Sequence, residues 1–398
     1  MWKGEILVSD IFRADPRIDK DLDRPEKDSR DLSDSDSRDY ALIVFRPRCI
    51  DAAAGVLSVD RETETLRISN DSRGTCIAGI CHLSLTMASH WEEFYTTHLP
   101  PTDFEDNRIL LKEFCDRHNK TGQRIVLITS GGTTVPLEHN TVRFVDNFSA
   151  GTRGAASAEY FLEHSYAVIF MHRLKSLEPF TRHFSGQKFM DMLELLDQGP
   201  NTTITVKPDS VDVLAPVLAS YKNAQEGGRI LYVTFTTVAD YFWLLRAACE
   251  CLAVFETKAV LFLAAAVSDF YVPSNEMPTH KIQSGAGAPT IQLQLVPKLL
   301  APLVNLWVPH AFIVSFKLET DESILIVKAR DSLNKYKHKL VIGNMLQTRR
   351  QKVVFVTKDS SYEVVLKREE ILNGMEIEDP IVSNVIASHS EFLKTHQY

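Results

Sequence analysis

Ser130-Gly131-Gly132-Thr133-Thr134 closes an apolar run at residues 124–130. At a strand end such a segment presents backbone N–H groups and two hydroxyls, and its glycines have no Cβ to obstruct close approach. The matching chemistry is the holding of a phosphate or carboxylate, although a tight strand-to-helix turn uses the same residues for geometry alone. No Gly-Lys-Ser/Thr follows, so this is not a Walker A loop, and no GxGxxG marks a dinucleotide fingerprint. Residues 147–154, Asn147-Phe148-Ser149-Ala150-Gly151-Thr152-Arg153-Gly154, open a helix whose N–H groups and dipole favour an anion. Ser149 is also a candidate N-cap. Gly151 and Gly154 each cost about 1 kcal/mol of helix stability relative to Ala. That cost fits the close approach of a ligand, with close packing as the other account. Ala264-Ala265-Ala266 then leave room beside a strand, and Asp269 behind them suits a metal, a substrate donor or a turn cap. Residues 277–289 are rich in Gly and Pro and carry His280-Lys281. This is the composition of a mobile lid whose lysine closes over an anion, or of a plain surface loop.

These residues need elements to place them. Residues 124–130 read as a strand buried on both faces. A small-residue helix over about 149–163 follows, then a strand at 167–171, a helix at 211–223, a strand at 229–233 and a helix at 238–252. Further buried strands are expected at 259–264, 311–316 and 340–343, with a helix at 322–336 between the last two. Residues 353–357 and 362–366 pair as an antiparallel terminal hairpin. The alternation predicts an α/β fold: a three-layer, Rossmann-like, mostly parallel sheet with helices on both faces. Ligands of such sheets bind at the carboxyl ends of the strands. There the sequence puts Gly131 to Thr134, His172-Arg173, Ala265, Ala266, Asp269, Lys317 and Asn344. Residues 1–85 read as an extension without assigned function, with 20–40 too polar to order, and residues 86–398 as the catalytic domain.

The bulk composition narrows the class. Hydrophobic residues make up 44% and charged residues 24% of 398, an ordinary globular balance able to bury a large sheet. A net charge of −8 argues against general nucleic-acid binding but leaves room for a local anion site. The six cysteines form no CxxC pair that would close a zinc site, and Cys249 and Cys251 lie in an apolar helical run as small hydrophobes. No leader or membrane span is evident, which points to a cytoplasmic enzyme.

Taken together, residues 127–133, 142–151, 264–272, 280–284 and 315–320 resemble the eukaryotic phosphopantothenoylcysteine synthetases, in family order and from about residue 92 onward. The resemblance implies a ligase of coenzyme A biosynthesis that joins 4′-phosphopantothenate to L-cysteine. An acyl nucleotidylate is the intermediate, and pyrophosphate and nucleoside monophosphate are released. ATP, rather than the CTP of bacterial members, is the implied co-substrate, with Mg²⁺. A homodimer with shared sites is also implied. By the same resemblance, Asn147, Lys281 and Arg143 are catalytic. Gly131, Ser149, Gly151, Gly154, Phe316, Asn344 and Lys317 bind nucleotide, and Ala265, Ala266 and Asp269 bind phosphopantothenate. No protein metal ligand is implied. A salt bridge to Asp146 or Glu138 is the plain alternative for Arg143. Ala150 departs from the family by lacking a hydroxyl, and Gln283-Ser284 stand where bacterial flaps carry lysines. Two other classes compete: an NAD(P)-dependent oxidoreductase, disfavoured by the missing fingerprint, and an inactive binding protein of the same fold.

Overall fold

The run at the heart of the sequence forms strand β1 (Ile125–Ser130), every residue of which is buried. A computed structural model describes residues 90–196, 199 and 202–396, and three short strands, Ile43–Val44, Val56–Asp60 and Thr65–Ser69. The polar tract at 20–40 lies outside the described residues. The chain divides into two units, Met1–Thr86 and Met87–Tyr398. In the first, the three strands pair antiparallel in sequence order.

The second unit is built on eight strands. After β1 come β2 (Ala167–Arg173), β3 (Ile230–Phe235), β4 (Ala259–Leu263), β5 (Phe312–Glu319), β6 (Leu340–Met345), β7 (Lys352–Val356) and β8 (Ser361–Val365). Their order across the sheet is β3-β2-β1-β4-β5-β6-β7-β8. The first six run parallel, and β7 and β8 are antiparallel. The chain reverses its direction of travel between β1 and β4, which is where a doubly wound sheet opens a crevice at its carboxyl edge.

The longer helices are α1 (His90–Thr97), α2 (Phe104–Lys120), α3 (Thr152–Glu163), α4 (Val211–Glu226), α5 (Val238–Leu252), α6 (Glu322–Tyr336) and α7 (Glu378–Thr395). Alternation along the strands sorts them onto two faces. Ile125, Leu127, Leu261 and Ile313 share a core with α2 and α5. Val126, Ile128, Val260 and Phe262 share the other with α3 and α7. The expected three-layer sheet is what forms.

Local chemistry sets the boundaries. Helix α5 starts with a capping box between Thr237 and Asp240, and the Asp321 side chain accepts the Ser323 N–H to start α6. Helix α3 begins at Thr152 rather than near 149, because Gly151 occupies the cap position in left-handed conformation, φ 84°. Two features outside the sequence expectations complete the site: a ribbon of Thr134–Pro136 paired with Phe144–Asp146, and a short pairing of Phe270–Tyr271 with Gln294–Leu295.

Candidate active site

The carboxyl ends of β1 and β4 are tied together before anything binds. Ala266 N–H donates to Gly131 O at 2.8 Å, and Thr133 N–H donates to Ala266 O at 3.1 Å. Thr133 Oγ1 accepts the Ser268 N–H at 2.9 Å, and Thr134 Oγ1 donates to Thr236 O at 2.9 Å. Both hydroxyls thus help to hold neighbouring chain ends, but only that of Thr134 uses its donor to do so, and the Thr133 O–H stays available to an anion. Gly131 is left-handed, φ 83°, and a Cβ on Gly132 would stand 1.7 Å from Asn147 O. Only glycine lets the Asn147 segment lie this close to the end of β1. A Cβ on Gly154 would likewise meet Ser130 at 2.4 Å. Close packing thus accounts for both Gly132 and Gly154.

Asn147 N–H donates to Thr133 O, which carries the side chain to the rim of the crevice. There Asn147 and Asp269 line one open cleft of about 230 Å³, together with Val135, Val145, Ser268, Phe270 and Leu293. Asp269 forms an ion pair with Lys298, a cation that the sequence reading missed. The only sequence signal for Lys298 is its place just beyond the strand Gln294–Leu295. Ala265 and Ala266 are half-buried beside the cleft residues. Ser149 Oγ accepts the Gly151 N–H at 3.4 Å, ahead of the first turn of α3.

Phe316, Lys317 and Asn344 stand at the ends of β5 and β6, where Lys317 lies opposite Gly343 and Leu318 opposite Asn344.

 The Phe316 ring packs edge-on against Phe262 at 4.9 Å between centroids, and the Arg153 guanidinium lies 5.8 Å above it. Arg153 is held in turn by Glu378 at 2.9 Å and by Arg349 O at 2.6 Å. Lys317 Nζ lies 3.6 Å from Glu319. Asn344 is buried at the end of β6.

The cations at the end of β2 point elsewhere. His172 is buried against Phe170, and burial lowers its pKa. Arg173 pairs with Asp146 at 2.6 Å, fastening the ribbon to the sheet. Arg143 takes the other of its two expected partners, Glu138, at 2.8 Å. Its side chain keeps 44% of its surface exposed, whereas that of Glu138 has none. Lys281 is exposed in the segment after Pro278 and has no ion-pair partner among the described residues.

The chain is similar to proteins of known activity. The chain is 46% identical over 288 residues to the human phosphopantothenate–cysteine ligase, covering 71% of this chain and 92% of that one. The chain belongs to the phosphopantothenate–cysteine ligase family. The Saccharomyces cerevisiae ligase CAB2 is 41% identical over 323 residues, covering 76% of this chain and 86% of that one. A solved structure of a Cab2 mutant in complex with phosphopantothenate-cysteine superposes with a TM-score of 0.69 at 41% identity, over 76% of this chain and 99% of that one. Residues 245–388 also match the model of the DNA/pantothenate metabolism flavoprotein C-terminal domain. Among the described residues, no helix is long and apolar enough to cross a membrane.

Proposed function

We propose that this chain joins 4′-phosphopantothenate to L-cysteine in coenzyme A biosynthesis. The substrate carboxylate attacks the α-phosphate of a nucleoside triphosphate, forming an acyl nucleotidylate and expelling pyrophosphate. The cysteine amine then attacks the acyl carbon, loses a proton and expels the nucleoside monophosphate. The observation that carries this reading is the cleft shared by Asn147 and Asp269 at the reversal between β1 and β4. It combines an amide able to donate and accept with a carboxylate, in a chain of this family.

Both steps depend on positioning more than on an enzyme nucleophile. Aligning two reactants is worth roughly 7–11 kcal/mol in favourable cases. Asn147 is assigned to the acyl intermediate, and Arg143 and Lys281 to the charge on the reacting carboxylate and phosphates. Asp269, Ala265 and Ala266 are assigned to the phosphopantothenate arm. Gly131, Ser149, Gly151 and Gly154 are assigned to the nucleotide phosphates, with Phe316, Lys317 and Asn344 at its base and ribose. The place of Asn344 at the end of β6, with an amide able to donate and to accept, supports that last assignment. ATP is the proposed co-substrate, and Mg²⁺ enters as the counter-ion of its triphosphate.

A homodimer is part of the proposal. Phe144, Val145 and Phe148 are 49%, 41% and 87% exposed around Asn147, an apolar surface fit for a second copy. Catalysis is assigned to residues 86–398, with residues 1–85 taking no part. A cytoplasmic setting suits the free thiols Cys115, Cys249 and Cys251.

Pyrophosphate release from ATP or CTP, with and without 4′-phosphopantothenate, tests the reading. Release that requires 4′-phosphopantothenate is expected; its absence with both nucleotides would sink the proposal.

A further inference from the structure

Glu138 fastens two segments that the sequence keeps far apart. Its side chain is fully buried. It accepts N–H bonds from Val142 at 3.3 Å, Arg143 at 2.9 Å and Ile282 at 3.3 Å, besides the Arg143 guanidinium. The guanidinium also donates to Ile282 O at 3.3 Å. Beside this centre, His139 N–H donates to Pro278 O and Asn140 N–H to Thr279 O, both at 3.0 Å. The ribbon tip at 138–143 is therefore zipped to residues 278–282. The later part of the flap differs: Gly285 and Gly287 have open space around them, and Gly287 is left-handed at φ 87°.

A surface ion pair needs only a carboxylate and a cation. This carboxylate is shut from solvent and draws its donors from two segments, so parting them would strand a charge without its partners. The backbone N–H of Arg143, above all, holds its pKa down to about 2, so it stays ionised at physiological pH. Lys281 directly precedes the held Ile282, so its side chain departs from a fixed backbone rather than from a free loop.

We propose that Glu138 is a positioning residue for the ligase reaction, holding the Lys281 segment and the Arg143 guanidinium as one unit over the substrates' anions. The proposal rests on the ligase reading of Lys281 and Arg143 above. Glu138→Gln keeps the size but replaces the charge with an amide, one end of which is a donor facing other donors. Trypsin cuts after Lys281, at the peptide bond whose N–H Glu138 holds, and so reports the fastening directly.

The full chain and Glu138→Gln are compared in limited tryptic digestion and in ligation of 4′-phosphopantothenate with cysteine. Cutting after Lys281 is expected to quicken by about tenfold or more, following the population of the open form. The value of kcat is expected to fall by about tenfold, and by less when Lys281→Ala is already present, because coupled residues are not additive. Cutting at the parental rate, faster cutting with parental turnover, or an undiminished effect in the Lys281→Ala background would each overturn the proposal. Parental turnover in Lys281→Ala alone would instead overturn the reading of Lys281, while the tryptic rates still judge the fastening. Should Glu138→Gln not fold, amide exchange in the unaltered chain decides: slow exchange at Arg143 and Ile282 is expected, and exchange of Ile282 at a free-loop rate contradicts it.

Discussion

Two arginine–carboxylate clusters in this molecule share their chemistry and differ in what their surroundings leave open. In the body, Arg182 is 7% exposed and is gripped by Glu159 at 2.7 Å and Glu376 at 2.6 Å, with His183 adding to Glu159 at 2.8 Å. It joins α3 to the segment leading into α7, and its donors are occupied. At the ribbon tip the burial is reversed: Glu138 is hidden and Arg143 is 44% exposed. A guanidinium has five donors in a planar fork, so Arg143 can be held on one edge and still meet an anion on another. Exposure of the cation, more than the presence of the pair, separates a clamp from a binding group.

The comparison can be broken by substitution. Arg143→Ala is expected to lower ligation by about 100-fold or more, as loss of a charge-stabilising donor does, while the denaturation midpoint falls less than in Arg182→Ala, because three backbone N–H groups still hold Glu138. Arg182→Ala is expected to do the opposite, lowering the unfolding free energy by about 3–5 kcal/mol, as an orphaned buried carboxylate would, with kcat retained at temperatures where the variant stays folded. Swapped outcomes in urea titrations and turnover assays would mean that the two clusters have been assigned the wrong way round.

A pH titration sharpens the same contrast. His389 and His338 are buried in the body, and burial lowers each pKa from the ordinary 6.5 to about 4. His389 bonds Tyr166 Oη and Thr257 O, both at 2.8 Å, and its burial outweighs the pull of the Thr257 carbonyl toward the protonated form. The unfolded chain therefore binds more protons than the folded one in this range. Stability that is complete above pH 6.5 declines as pH falls toward 4, by up to about 1.4 kcal/mol per pH unit for each ring. Denaturant midpoints between pH 7 and 5 should fall, and His389→Gln should flatten the slope; a level profile would contradict the neutral assignment. The smallest effect is expected from removing residues 1–85, which should leave turnover unchanged in the ligation assay; loss of activity would give that segment a role.

The sheet is legible in the sequence because strands such as Ile125–Ser130 are buried on both faces and read as unbroken apolar runs. Helices Val238–Leu252 and Glu322–Tyr336 are legible for a related reason, since their apolar periodicity is long and their starts carry caps. The ribbon at 134–146 is not legible. Its strands are three residues long, and Phe144–Asp146 is wholly exposed, so no burial pattern marks it. Pairings such as Asp269 with Lys298 depend on a chain return that periodicity does not encode. The glycines show the limit of reasoning from residue type. Gly154 signals close approach, but the neighbour in the structure is Ser130.

The central claim is that the cleft holding Asn147 performs the ligation. Formation of phosphopantothenoylcysteine, followed by mass spectrometry in the full chain and in Asn147→Ala, tests it most directly. The account predicts product from the full chain with ATP, and a loss of about 100-fold or more in a variant that unfolds at the parental midpoint. No product with either ATP or CTP, or near-parental product from Asn147→Ala, would contradict it.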